Sequence, residues 1–327
     1  MVSDATAGFR AGSLIRATLK ALVHGVELRH LPIALRPADR ELVKTFLVAG
    51  DRSFEITGLD VPASLVPLVI GIRESSAWPY GQSEHWRLEV RTPQGVVLGS
   101  MTLATSGRIT LGGMAIALFT PKDGRTACVS IGERWWRYLL AWRRERVRRN
   151  SAGLALSFPD LRALDVYYQR PRPVWLVTVP HAEGFNMFPM DLLERIDGPE
   201  RLFLALRSTS VSVPFMSQRC AIALSAVPAT LKAAIYALGN HHRTAYMPGA
   251  PLPFAVIKSA TQGLAVPAPA FIVTEWRIRD SVEVGSHTCF VADRMTETVH
   301  GDGEQLAHVS GLLAKPKAAA RTPLVPV

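Results

Sequence analysis

The spacing of apolar and polar positions changes several times along this chain, and each change marks an element. Ala11–Val26 places Leu14, Ile15, Leu19, Leu22 and Val23 at helical spacing, with Arg16 and Lys20 on the other face, so an amphipathic helix is expected. A second, short helix is expected from Pro37, since proline suits a first helical turn. From Ser53 to Val129 the period shortens to that of strands. Trp86–Arg91 alternates, Thr92–Gly95 reads as a turn, and Val96–Leu103 and Ile109–Phe119 follow as strands joined at Ser106–Gly107. Helical spacing returns over Glu133–Arg149, where Trp135, Leu139, Trp142 and Val147 lie near one stripe among arginines. Asn150–Gly153 resembles a helix stop.

The second half reads as hairpins. Val174–Val179 is β-branched and apolar, as a central strand requires, and His181–Gly184 is a turn from which Phe185–Pro189 returns. Arg201–Leu206 is a third strand and ends in the polar loop Arg207–Ser210. Cys220–Ser225 is a fourth. Thr274–Arg279 alternates, Asp280–Val284 is expected to turn, and Gly285–Ala292 is another strand. Many short strands at such spacing suggest a closed barrel, which leaves no exposed sheet edge. No internal repeat of solenoid period is visible. The organisation expected is therefore an N-terminal α+β region of unassigned fold over 1–160, a barrel over 161–314 and a flexible tail over 315–327, the fold class being mainly β with α+β additions.

Composition narrows the function. With 327 residues, 48% of them hydrophobic and 20% charged, the chain has enough apolar side chains for a real core. Its longest apolar runs, such as Val61–Ile72 and Cys220–Leu231, fall short of a membrane span, and the start of the chain does not look like a signal peptide. Cys128, Cys220 and Cys289 form no CxxC pair, which excludes a cysteine zinc ribbon, argues against a disulfide scaffold and suggests a cytoplasmic location. His241–His242 suggests a metal, but no HExxH motif or third ligand at matching spacing accompanies it, so none is expected. Net charge is +10 and uneven: Arg134, Arg137, Arg143, Arg144, Arg146, Arg148 and Arg149 crowd one helix, which could attract phosphates, nucleic acid or acidic lipid. The alternative for that helix is a packed element with a solvated arginine face. GxSxG, Walker and GxGxxG signatures are all missing.

One constellation spans about half of the chain, from Tyr168 to Ala314. It runs through Arg172-Pro173, Val177-Thr178, Gly184, Asn186 with Pro189, Arg207-Ser208-Thr209-Ser210 and Gly285-Ser286-His287. In order and spacing this resembles the flavin reductase-like, FMN-binding split-barrel family. The resemblance implies FMN as cofactor and NAD(P)H as substrate. It implies a homodimer with the flavin at a two-fold interface, and a monooxygenase or other electron acceptor as partner; nucleic acid and membrane are not expected. It places Asn186, Met187, Phe188, Pro189 and Met190 along the flavin ring. Arg207, Ser208, Thr209 and Ser210 fall at the phosphate, for which a cation and hydroxyls are suitable partners. His287 is implied as the catalytic-side residue that orients the nicotinamide. Three functions stay open at this point: an FMN-dependent NAD(P)H oxidoreductase, a flavin-binding protein without turnover, and an interaction protein that uses the basic helix.

Overall fold

A computed structural model describes residues 31–36, 43–76, 78, 85–128, 130–147, 156–182, 184–196, 198–218, 220–243 and 251–310. The helices expected over 11–26 and from Pro37, the stop at 150–153 and the tail lie outside the described residues.

The N-terminal half, for which the sequence offers no fold, is a seven-stranded antiparallel sheet. Its strands are β2 (Lys44–Ala49), β3 (Arg52–Glu55), β4 (Asp60–Leu65), β5 (Leu68–Arg73), β6 (Trp86–Arg91), β7 (Val97–Leu111) and β8 (Met114–Thr126), in the order β3-β2-β6-β7-β8-β5-β4. The turn expected at Ser106–Gly107 is instead a register shift inside β7, and the chain reverses at Gly112–Gly113. A serine–glycine pair reads like a turn, but a bulge uses the same freedom to bend a strand that continues. Leu47, Leu68, Ile70, Trp86, Leu88, Met101, Leu103 and Phe119 meet in one core, so the sheet curls upon itself.

Two helices follow. Helix α1 (Ile131–Val147) is the expected basic helix. Helix α2 (Phe158–Tyr167) was not anticipated; Ser157 caps it reciprocally with Asp160, and Pro159 stands in its first turn. Its Ala163, Val166 and Tyr167 belong to the N-terminal core, so the division at 160/161 falls inside an element of the first half.

The C-terminal half repeats the plan. Strands β10 (Trp175–His181), β11 (Gly184–Met190), β12 (Leu193–Arg195), β13 (Arg201–Arg207), β14 (Ala221–Ala226), β17 (Ile272–Val284) and β18 (His287–Val299) form a sheet ordered β11-β10-β14-β17-β18-β13-β12. Every strand supplies side chains to one core, from Val177 and Phe188 through Leu193 and Leu204 to Trp276 and Phe290, so this sheet also curls into a partial barrel. The short helix α3 (Val213–Ser217) inserts Met216 into that core, and α4 (Lys232–Ala237) packs Ile235 against the outer face. β15 (Val256–Lys258) and β16 (Ala265–Pro267) make a separate ribbon. Residues 280–284, expected to turn, are strand; the reversal comes at Gly285–Ser286, where Gly285 has φ +57°.

Counting strands within each half, both sheets run second, first, fifth, sixth, seventh, fourth, third. A third sheet, β1 (Leu31–Leu35), β19 (Gln305–Val309) and β9 (Arg172–Pro173), ties the earliest described strand to the last. Val61, Ala63, Leu111, Ile116 and Leu118 of the first half share a core with Ile196, Phe203, Val284, Cys289 and Val291 of the second.

Candidate functional site

The loop Arg207–Ser210 leaves β13 where that strand ends opposite the start of β18, so Arg207 lies across from His287. The Ser210 amide donates to the Arg207 carbonyl at 2.8 Å, which holds the loop as a tight turn. Ser208 Oγ meets Thr288 Oγ1 at 3.0 Å, and the Ser208 amide donates to the Ser286 carbonyl at 3.2 Å. The turn then reaches the neighbouring edge of the barrel. Asn186 Nδ2 donates to Ser212 Oγ at 2.9 Å and to the His241 carbonyl at 2.7 Å, and the Ser212 amide approaches Ser210 Oγ. Asn186, Arg207, Ser208, Ser210, Ser212, His241, His287 and Thr288 therefore form one polar rim. Ser212 and Thr288 were missed in the sequence because serine and threonine are common, and only the fold brings these two to the turn.

The expected ring wall divides. Successive side chains of a strand point to opposite faces. Asn186, Phe188 and Met190 share one face of β11, and Phe188 and Met190 are consumed by the barrel core. Met187 is buried on the opposite face with Leu176 and Ala223, and Pro189 is half-buried. The run 186–190 therefore cannot serve as a single wall, and of its residues only Asn186 joins the rim. Thr209 is exposed at the turn. Neighbouring Asp191 accepts from the Tyr168 hydroxyl at 3.0 Å and lies 2.7 Å from His308 Nδ1.

His287 is only 2% exposed. The loop between β4 and β5 covers it: the Leu65 amide donates to its Nδ1 at 3.4 Å, and Ser286 Oγ is 2.9 Å from the same nitrogen. Burial, aided by Arg207, lowers its pKa from 6.5 to about 4. The imidazole is therefore neutral at pH 7. It is held between the two halves rather than presented on an open face.

Three buried hydroxyls have no hydrogen-bond partner among the described residues: Thr45 Oγ1 in the first half, and Thr178 Oγ1 on β10 and Ser225 Oγ on β14 in the second. Leu176 pairs with Ser225 and Thr178 with Ala223, so the hydroxyls of Thr178 and Ser225 lie on the same outer face. Thr178 directly precedes Val179, the partner of Asn186.

Two arginines of the basic helix have partners. Arg134 donates to the Thr126 carbonyl at 2.6 Å, and Arg137 pairs with Glu133 at 2.6 Å. Trp135 and Trp136 are 47% and 46% exposed, Trp135 being stacked on Phe158 with Arg162 over its ring. No helix among the described residues is long and apolar enough to cross a membrane.

No protein-family model matches the chain, and no curated protein matches it. Solved structures do. The NADH:FAD oxidoreductase SgcE6 of Streptomyces globisporus C-1027 is 17% identical with a TM-score of 0.40, over 50% of this chain and 94% of that one. The styrene monooxygenase flavin reductase SMOB of Pseudomonas putida S12 is 16% identical with a TM-score of 0.38, over 45% and 92%. An FMN-binding protein of Thermus thermophilus is 16% identical with a TM-score of 0.39, over 48% and 93%. The structural neighbours are flavin reductases and FMN-binding split-barrel proteins, and they cover about half of this chain.

Proposed function

We propose that the C-terminal half binds a flavin nucleotide, FMN in the first instance, and that the protein is a flavin-dependent oxidoreductase using NAD(P)H. The observation that carries this reading is the rim turn, where Arg207, Ser208 and Ser210 stand together beside Thr288 and Asn186. A phosphate calls for a cation, hydroxyls and backbone N–H groups, and such a turn offers them in one place. When bound, the flavin would supply the capacity to accept a hydride from the nicotinamide. The chain's own part is positional. Arg207 and the serines would hold the phosphate end and Asn186 an edge of the ring. Phe188 and Met190 would stiffen the barrel beneath, and His287 would keep the rim aligned with the other half. Small errors of approach between two reactants are costly, so such positioning is what a hydride transfer needs from a protein. Reduced flavin would then serve an acceptor protein.

Titration of the full chain with FMN, riboflavin and FAD, followed by NADH and NADPH oxidation with the bound flavin, tests the reading. Arg207→Ala should weaken FMN binding by about 1.5–3 kcal/mol, the range for a hydrogen bond to a charged group. It should leave riboflavin, which has no phosphate, much less affected. Equal losses for both ligands would remove Arg207 from the phosphate, and retained flavin without NAD(P)H oxidation would leave a binding protein without turnover.

A further inference from the structure

We infer that this chain is a fused pair of equivalent barrels that acts as a monomer and carries a single ligand site, in its C-terminal half, with the N-terminal half as that site's built-in partner. The ligand part of this inference rests on the flavin reading above; the architectural part does not.

The equivalence of the halves goes beyond strand order. The hairpin of the sixth and seventh strands has the same register in both. Ile109 faces Ile116 and Leu111 faces Met114 in the first half, while Val282 faces Cys289 and Val284 faces His287 in the second. Each hairpin turns at a glycine in the left-handed region, Gly112 at φ +56° and Gly285 at +57°. Each tip is seated on the other barrel. The Gly112 amide donates to Asp280 Oδ2 at 3.0 Å, and Arg201 donates to the Gly112 carbonyl at 2.9 Å. In return the Ser286 amide donates to Ser64 Oγ at 3.1 Å, and the Val66 amide to Ser286 Oγ at 3.3 Å. A Cβ at Gly112 would stand 2.8 Å from Val291 Cγ1, and one at Gly285 would stand 2.5 Å from Ser64 Oγ.

The apolar seam repeats the same correspondence. Ile109 and Val282, Leu111 and Val284, Ile116 and Cys289, and Leu118 and Val291 are matched positions of the two hairpins, and all eight belong to the shared core or pack against it. An interface in which the same patch is used from both sides is the signature of two-fold association. Here that patch is spent within the chain, so a second chain finds it covered.

The symmetry stops at the chemistry. Met114 occupies the position that His287 holds in the second half, Gly113 that of Ser286, Ala115 that of Thr288, and Arg52 that of Asn186. Between the fourth and fifth strands, where the second half has Arg207 and Ser208 and then sends Met216 into its core, the first half has Ser75 and Ser76 and then sends Trp78 into its core. Trp78 is 1% exposed and packed at 6.2 Å from Trp86 and 6.5 Å from Phe119, centroid to centroid. The first half thus has Ser75 where the second has the cation Arg207, and Ala115 where it has the hydroxyl of Thr288.

Two measurements on the intact wild-type chain test this together: mass by sedimentation equilibrium at micromolar concentration, and stoichiometry of FMN binding by calorimetry. The expected result is one particle of 35.7 kDa, the mass of a single chain, binding one FMN. A particle of twice that mass overturns the fused pair as a self-sufficient unit. Two flavins per chain overturn the single site. A monomer that binds no flavin overturns the flavin reading and the ligand part with it, while upholding the fused pair.

Discussion

Replacing Arg172 with methionine would test what joins the two halves. The guanidinium is 2% exposed and lies in β9, between the halves. It donates through Nη2 to Asp60 Oδ2 of β4 and through Nη1 to Glu194 Oε2 of β12 at 2.9 Å, and its carbon sits 3.8 Å from the centre of the Tyr167 ring. Burial alone would lower the affinity of Arg172 for its proton, but Tyr167, Asp60 and Glu194 outweigh that and raise it, so the charge is firmly present. Arg170 completes a neutral set of four by pairing with Glu194 and, at 3.4 Å, with Asp60. Methionine fills the space but leaves the fully buried Asp60 with that one long contact. Removing one member of a buried pair costs about 3–5 kcal/mol, most of it the penalty on the abandoned charge. At roughly 2 °C per kcal/mol for a chain of this size, the melting temperature should fall by about 6–10 °C. The double variant Asp60→Leu/Arg172→Met keeps the neutral Arg170–Glu194 pair, so its loss should be smaller than the sum of the single losses by about 1 kcal/mol or more. Urea unfolding followed by tryptophan fluorescence gives all three values. A single-variant loss below 1 kcal/mol, or strict additivity, would refute the claim that this cluster holds the halves together.

Further outcomes concern pH and close approach. Burial raises the pKa of Asp165 from 3.8 to about 6, although Ser310 and Tyr138 donate to it. The folded state then holds this proton more tightly than the unfolded one, so its contribution to stability is present at low pH and lost as pH rises from about 4 to 6. Asp165→Asn should remove that loss, seen as a gain over wild type that grows across the window; a difference that does not vary with pH would contradict it. His287 acts with the opposite sign. Its folded pKa lies below 6.5, so stability falls as pH drops from 6.5 towards 4, and His287→Gln should flatten that limb in pH-dependent denaturation. If His287 does not lie beside the flavin, the same variant should leave the rate of flavin reduction per folded molecule unchanged in stopped-flow, whereas a specific loss of rate would return it to the nicotinamide. Gly285→Ala combines a positive φ with a Cβ pressed on Ser64 Oγ and should cost at least 1–2 kcal/mol, whereas Gly95→Ala, with similar φ and open space, should cost about 1. Equal losses would mean that the hairpin tip is not seated on the other half.

The sequence by itself determined the local pieces of the second half. β-branched runs and period-two alternation are local properties, so β10, β11, β13 and β14 stand close to where their side chains predict them, as does the basic helix α1. The polar turn Arg207–Ser210 was legible for the same reason. What the tertiary structure alone decided is everything that depends on who lies opposite. The duplication escapes the sequence because a barrel strand needs only apolar residues of fitting size on one face, and many different residues meet that demand. Ile109 and Val282, or Leu118 and Val291, are equivalent in space without being alike in any motif. Turn positions shifted because glycine serves a bulge at Gly107 as readily as a reversal at Gly112. Met187 and Phe188 are adjacent in sequence and lie on opposite faces, a consequence of the pleat. Arg172 and Asp60 are 112 residues apart and Leu65 and His287 are 222 apart, and no local pattern signals that either pair will meet. His287 is neutral because a loop from the other half covers it, and a histidine's charge is set by its surroundings, which only the folded chain supplies.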